Sequence, residues 1–243
     1  MSHHKFQLNE KDTTEQMIRS LLTDVGNTLQ FMAQTGCNGF DCCRDDHATV
    51  HQWGKHRVPR TGSLAEIKAE LRNCRRCELH RGRTHMVFGA GCPEARLVFV
   101  GEGPGYEEDK QGHPFVGAAG KLLNRILAAM HLNREDVYIC NIVKCRPPNN
   151  RNPRPEEIAT CTPFLRRQIR AIDPEYICAL GKFAAQTLLQ TDIPISKLRG
   201  RFHDYHGIPV MPTYHPAYLL RNPEKKGDVW RDMQQLMKCL NLL

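Results

Sequence analysis

Residues Arg96–Gly105 read Arg-Leu-Val-Phe-Val-Gly-Glu-Gly-Pro-Gly. The apolar run Leu97–Val100 is rich in β-branched and aromatic side chains and is bounded by glycine. That pattern predicts a short strand buried on both faces. The five residues Gly101–Gly105 hold three glycines and a proline, which forces a tight turn with close backbone approach. The turn brings Glu102 and several backbone N–H groups to the carboxyl end of a strand, where open α/β sheets hold their ligands.

Working outward, three more strands follow from the pattern, at Val137–Val143, Tyr176–Leu180 and Ile208–Met211. Helices fall between them. Leu122, Leu123, Ile126, Leu127 and Met130 recur at helical spacing, a second helix runs from Pro155 to Ile172, a third follows Gly181, and a last covers about Asp228–Leu240. Upstream, Ser63-Leu64-Ala65-Glu66 is a capping box that opens a helix ending near Arg72. Strands alternating with helices predict an α/β fold, a parallel sheet with helices on both faces. Before this lies a stretch of different character. Met17, Ile18, Leu21, Leu22, Val25, Leu29 and Met32 lie at helical spacing. Residues 33–62 carry Cys37, Cys42, Cys43, His47, His51 and His56 without the two clean ligand pairs of a zinc module. The expected division is a helical extension with a linker over 1–62 and a main domain over 63–243.

The chain has 243 residues and a formal charge of +8, from 34 basic and 26 acidic residues. It is long enough to bury a substantial core, and the basic surplus favours a polyanionic partner. No run of 18 apolar residues is present and the N-terminus lacks a secretory signal pattern, so no membrane span is expected and an intracellular setting is. Eleven cysteines in a reducing compartment direct attention to metal or cluster ligation rather than disulfides.

Cys74 and Cys77 form a Cys-x2-Cys pair, Cys145 follows 67 residues later, and Cys161 after 15 more. Four thiolates so arranged would tie the segment before the first strand to the loop after the second. Zinc and a [4Fe–4S] cluster both suit the ligand count, and a redox pair at Cys74/Cys77 is a rival. Cys140 and Cys178 fall inside strands and read as core.

Four motifs occur in order: Gly101-Glu102-Gly103-Pro104-Gly105, Pro114-Phe115-Val116-Gly117, Asn141-Ile142-Val143-Lys144-Cys145-Arg146-Pro147-Pro148 and His215-Pro216-Ala217-Tyr218-Leu219-Leu220-Arg221. Together with the four cysteines, this set resembles the iron–sulfur uracil-DNA glycosylases, family 4 of their superfamily, over about residues 70–240. The resemblance implies a three-layer α/β/α sandwich around a four-stranded parallel sheet. It implies a [4Fe–4S] cluster on Cys74, Cys77, Cys145 and Cys161, with a structural rather than hydrolytic part. It also implies DNA containing uracil as substrate and a place in base excision repair; the expected setting is cytoplasmic, at the nucleoid, and replication or repair proteins are open as further partners without a sequence feature that marks them.

The side chains in these motifs suit that chemistry. Breaking the N-glycosidic bond leaves an oxocarbenium-like sugar and a uracil bearing negative charge, which preorganised donors can stabilise. The resemblance implies that His215 bonds uracil O2. Asn141 offers an acceptor for N3–H and a donor for O4. Phe115 stacks on the flipped base. Glu102, with the backbone of Gly103 and Pro104, lines the base and water site. Glu102 either orients water or offsets the sugar's positive charge. The superfamily's better-known branch has an aspartate where Gly103 stands, which leaves no strong general base there. Tyr106 or Glu108 would exclude the 5-methyl of thymine. Leu219 and Leu220 offer a wedge into the duplex, and Arg221 and Arg199 offer phosphate contacts. The competing expectations are a zinc- or cluster-bearing DNA-binding module without turnover, and a homologue that traps uracil-DNA covalently. The trapping variant carries a reactive histidine in the loop after Asn141, and Arg146–Pro155 contains none.

Overall fold

The computed structural model describes residues 62–242. The expected N-terminal helix, the cysteines and histidines of residues 33–56 and most of the linker lie outside the described residues. The sheet has six strands: β1 (Ala90–Gly91), β2 (Leu97–Gly101), β3 (Tyr138–Asn141), β4 (Tyr176–Leu180), β5 (His203–Tyr205) and β6 (Ile208–Thr213). Their order is β1-β3-β2-β4-β6-β5. The central four, β3-β2-β4-β6, are mutually parallel, and the two edges are antiparallel.

The expected four-stranded parallel sheet is therefore the core of a mixed six-stranded one. The edge strands were missed for a physical reason. Ala90–Gly91 is two residues long, and His203-Asp204-Tyr205 has no apolar alternation. Its pairing is set by the turn at His206 and Gly207, which both have positive φ (51° and 85°), the geometry of a two-residue hairpin.

Helices cover both faces. They are α1 (Leu64–Leu71), α2 (Tyr106–Gln111), α3 (Ala118–Ala129), α4 (Pro155–Ile172), α5 (Lys182–Leu189), α6 (Ile195–Leu198), α7 (Pro216–Arg221) and α8 (Lys226–Cys239). The two-residue period of a strand sorts the layers. Val98 and Val100 face one core with Leu165 and Ile169 of α4 and Ala184 and Leu188 of α5. Leu97 and Phe99 face the other, with Leu123 and Leu127 of α3 and Met233 and Leu236 of α8. Cys140 and Cys178 are buried, one in each core. A third cluster, Ile67, Leu71, Phe88 and Phe164, seats α1 on α4. The Ser63 capping box is formed, with Glu66 N donating to Ser63 Oγ and Ser63 N to the Glu66 carboxylate. Among the described residues no helix is long and apolar enough to cross a membrane.

Candidate active site

The site lies at the carboxyl ends of β2 and β3, where Gly101 and Asn141 stand opposite each other in register. Gly101 must be glycine. A Cβ there would meet Asn141 Oδ1 at 2.4 Å and Phe115 Cζ at 2.6 Å, so the amide oxygen and the aromatic ring converge above it. Asn141 is 1% exposed and its Oδ1 has no hydrogen-bond partner. A buried polar atom left unpaired costs about 1–3 kcal/mol, and such an orphan at a sheet rim asks for a ligand donor. Its backbone is well held. Lys144, itself 1% exposed, donates from Nζ to Asn141 O at 2.6 Å, and Ile142 N and Val143 N donate to the carbonyls of Gly101 and Glu102.

Phe115 stands on a loop between α2 and α3 in the left-handed region, with φ of 53°. For a residue with a Cβ that conformation is disfavoured, and the loop is fastened by ionised side chains. Glu108 Oε1 accepts from Val116 N at 2.9 Å and Gly117 N at 2.8 Å, and its Oε2 accepts from Gly105 N at 3.1 Å. Arg134 donates to the carbonyls of Pro114 and Phe115. Glu108, expected to exclude a methyl group, thus has its carboxylate committed to tying the glycine loop to the aromatic loop. Tyr106 is 56% exposed, with the Arg146 guanidinium 5.0 Å from its ring centre.

His215 caps the N-terminus of α7. Its Nδ1 accepts from Ala217 N at 3.1 Å, which places the proton of the neutral ring on Nε2. Burial pushes its pKa down to about 4, opposed by the Glu108 charge and reinforced by Arg221. The ring is therefore a neutral imidazole with a fixed donor on Nε2 at any working pH. It lies 5.6 Å from the Phe115 ring, centre to centre. A Cβ at Gly181 would meet His215 Cβ at 2.9 Å, so the turn after β4 is glycine to admit it. The structure therefore brings Gly101, Phe115, Asn141 and His215 together.

Glu102 follows Gly101 and is half-buried. Burial alone raises its carboxyl to about 7, so it changes charge near neutrality. Gly103 presses on Val143, whose Cγ2 would lie 2.7 Å from a Cβ there. Pro104 is buried.

On the other side of Lys144 lies a second constellation. Cys74, Cys77, Cys145 and Cys161 line one cavity, with Arg76, Arg83 and Lys144 in its wall. Arg83 donates to Cys145 Sγ at 3.1 Å and Arg76 to Cys74 Sγ at 3.6 Å. Burial pushes the Cys145 thiol up to about 11 and raises those of Cys77 and Cys161. Thiols in such a place ionise when a bound cation takes the charge. Among the described residues no three His, Cys, Asp or Glu side chains are close enough together to hold a single metal ion. The four thiols nevertheless line one cavity.

Two of the expected DNA-contacting residues depart from expectation, Leu219 after His215 and Arg199 before it. Leu219 is 1% exposed and packs in the core, whereas Leu220 is 45% exposed. About 100° of helical rotation separates the two on α7, so that Leu219 goes inward and only Leu220 is available as a wedge. Arg199 is not a free phosphate contact either. It donates to both carboxylate oxygens of Asp232 at 2.6 and 3.2 Å and to Asp228 O, and lies 5.2 Å from the Tyr214 ring centre. Its charge offsets that of buried Asp232, which also accepts from Thr213 Oγ1 at 2.5 Å. Arg221 is exposed.

Arg134, Lys144, Arg83 and Gly181 were missed in the sequence. Lys144 stood inside a quoted motif, and a lysine between two apolar strand residues and a cysteine was the available sign of burial. Arg134, within Asn-Arg-Glu-Asp, reads as a solvated loop.

A sequence profile for the uracil DNA glycosylase superfamily matches residues 88–234. The chain is 45% identical over 182 residues to the type-4 uracil-DNA glycosylase of Archaeoglobus fulgidus, a match covering 72% of this chain and 92% of that protein. It is 53% identical to the type-4 uracil-DNA glycosylase of Thermotoga maritima, over 65% of this chain and 84% of that one. A type-5 uracil-DNA glycosylase of Pyrobaculum aerophilum is 29% identical, over 72% of this chain and 88% of that one.

Proposed function

The chain belongs to the type-4 uracil-DNA glycosylases of the uracil DNA glycosylase superfamily, and we propose on that premise that it excises uracil from DNA in repair by the steps its pocket dictates. The observation that carries the reading is the unpaired, buried Oδ1 of Asn141 beside Phe115, which itself packs against His215.

A uracil flipped from the stack stacks on Phe115 and donates its N3–H to Asn141 Oδ1. Cytosine presents a bare N3 there and leaves the oxygen unpaired, which is a strong basis for rejection. The base displaces the contacts that now cover Oδ1. As the N-glycosidic bond breaks, its electron pair passes to the base, and His215 Nε2–H bonds the oxygen where that charge collects. A neutral imidazole performs this without giving up its proton, and its fixed tautomer means no reorganisation at the moment of reaction. Glu102, at the loop beside the sugar, acts in its carboxylate form, orienting water toward the sugar carbon and offsetting the positive charge that develops there. Glu108 holds the two loops in register. Leu220 enters the duplex where the base departed, and Arg221 contacts phosphate.

Cys74, Cys77, Cys145 and Cys161 would hold a [4Fe–4S] cluster, whose bonds to four thiolates cross-link α1's outgoing segment, the β3 loop and α4. Arg76, Arg83 and Lys144 offset thiolate charge in that wall.

The test is a uracil-containing oligonucleotide incubated with the protein and then treated with alkali. Strand breakage is expected with the wild type, and His215→Ala should slow it by about 10²–10³-fold, as for loss of one oxyanion donor. Salt-sensitive binding without breakage in the wild type would instead identify a DNA-binding module.

A further inference from the structure

We propose that Arg134 is a positioning residue for excision, fastening from outside the pocket the peptide that presents Phe115 to the expelled base. The inference rests on the stacking reading of Phe115 and extends it to a residue that touches no substrate. Arg134 lies between α3 and β3. Its Nη2 donates to Pro114 O at 2.6 Å, and its Nη1 donates to Phe115 O at 3.0 Å and to Asn124 Oδ1 of α3 at 3.0 Å. Among the described residues Arg134 forms no ion pair; its bonded partners are two successive carbonyls and an amide. An arginine serving only as surface charge would stay in water or meet a carboxylate. This one is half-buried and directs its fork at the backbone of a residue with positive φ.

The opposite side of the same loop completes the grip. Glu108 takes the N–H groups of Val116 and Gly117, so the Phe115–Val116 peptide is held by a cation at its oxygen and an anion at its nitrogen. Gly120 lets the first turn of α3 close on that peptide, since a Cβ there would stand 1.9 Å from Phe115 O. The left-handed backbone is thereby imposed from three sides. The second carbonyl requires the planar fork of arginine; a lysine ammonium, a single point charge, serves such a pair poorly.

The test is a double-mutant cycle on the full chain, read by single-turnover excision from a uracil oligonucleotide and by inhibition with free uracil. Arg134→Gln is expected to slow excision by about tenfold to a hundredfold, the cost of a small misplacement of a positioned group. It should weaken inhibition by free uracil in parallel and leave affinity for uracil-free DNA unchanged. Arg134→Lys should recover part of the loss. Because Arg134 acts through Phe115, adding Arg134→Gln to Phe115→Leu should cost nothing further. Losses that multiply in the double variant would overturn the proposal, as would wild-type excision by Arg134→Gln, or a loss that merely follows the folded fraction in thermal melting with uracil inhibition intact. Phe115→Leu at the wild-type rate would overturn the stacking reading itself, whereas a slow Phe115→Leu beside a fast Arg134→Gln would overturn the clamp alone.

Discussion

Asn141 and Cys145 are four residues apart, yet the regions they serve are built on opposite plans. The site at the ends of β2 and β3 is held in shape by the protein itself. Its loops are tied by Glu108, Arg134 and Lys144, its histidine tautomer is set by Ala217 N–H, and one acceptor, Asn141 Oδ1, is left open. In the cysteine cavity burial pushes the Cys77, Cys145 and Cys161 thiols away from the ionised form, with arginines placed against Cys74 and Cys145. One region spends binding energy on preorganisation for a transient charge. The other gathers four thiols and two arginines around one cavity. Lys144 stands between them, with its head on Asn141 O and its flank in the cysteine cavity wall.

The contrast can be broken most sharply from the cysteine side. Cys145→Ser should abolish the broad visible absorption expected of a bound iron–sulfur cluster and lower the melting temperature. Whatever remains folded should still be inhibited by free uracil. Retained absorption would remove Cys145 from the ligand set, and complete loss of uracil inhibition in folded protein would make the two regions one.

On the pocket side, Glu102 has the next largest expected effect. With its carboxyl raised to about 7 by burial, the protonated form prevails below neutrality and the carboxylate above it. A carboxylate role therefore predicts excision that rises with pH through about 7 and then levels. Glu102→Gln should flatten that rise and lower the plateau by about 10²-fold, at the lower end for a positioned acid–base group. A rise that persists in the variant would assign it to another group. His215 contributes no step in this range, being neutral above about 4.

The smallest effect separates neighbouring leucines. Leu220→Ala should slow excision from duplex DNA by about tenfold, set against an unstacking cost of a few kcal/mol per step, and leave single-stranded substrate unaffected. Leu219→Ala, in the core, should instead cost about 2–5 kcal/mol of stability, read by denaturant unfolding. Equal losses on both substrates for Leu220→Ala would discard the wedge.

How legible these features were in sequence follows from what kind of signal each carries. The central strands and their helices were readable because Leu97–Val100, Val137–Val143 and Tyr176–Leu180 are mostly apolar runs, and the Ser63 box announces its helix. The edge strands β1 and β5 were not, since a two-residue strand and one reading His-Asp-Tyr carry no period. Phe115, Asn141 and His215 were each named from their motifs, but only the fold brings them together, over a Gly101 whose part the motif did not reveal. The leucine pair shows the limit. Adjacent residues of one type look alike in sequence, and only the docking of α7 decides that Leu219 goes inward. Arg199 likewise reads as a surface cation until Asp232, 33 residues later, is seen to claim it.

The central claim is that Asn141 and His215 face one base together and steady its charge as it leaves. Titrating free uracil while observing the Asn141 side-chain amide and the His215 ring nitrogens by NMR tests it most directly. Both signals should move together along one saturation curve, with the His215 ring staying in its Nε2–H neutral form. Movement of one signal without the other, or a ring that becomes protonated on binding, would contradict it.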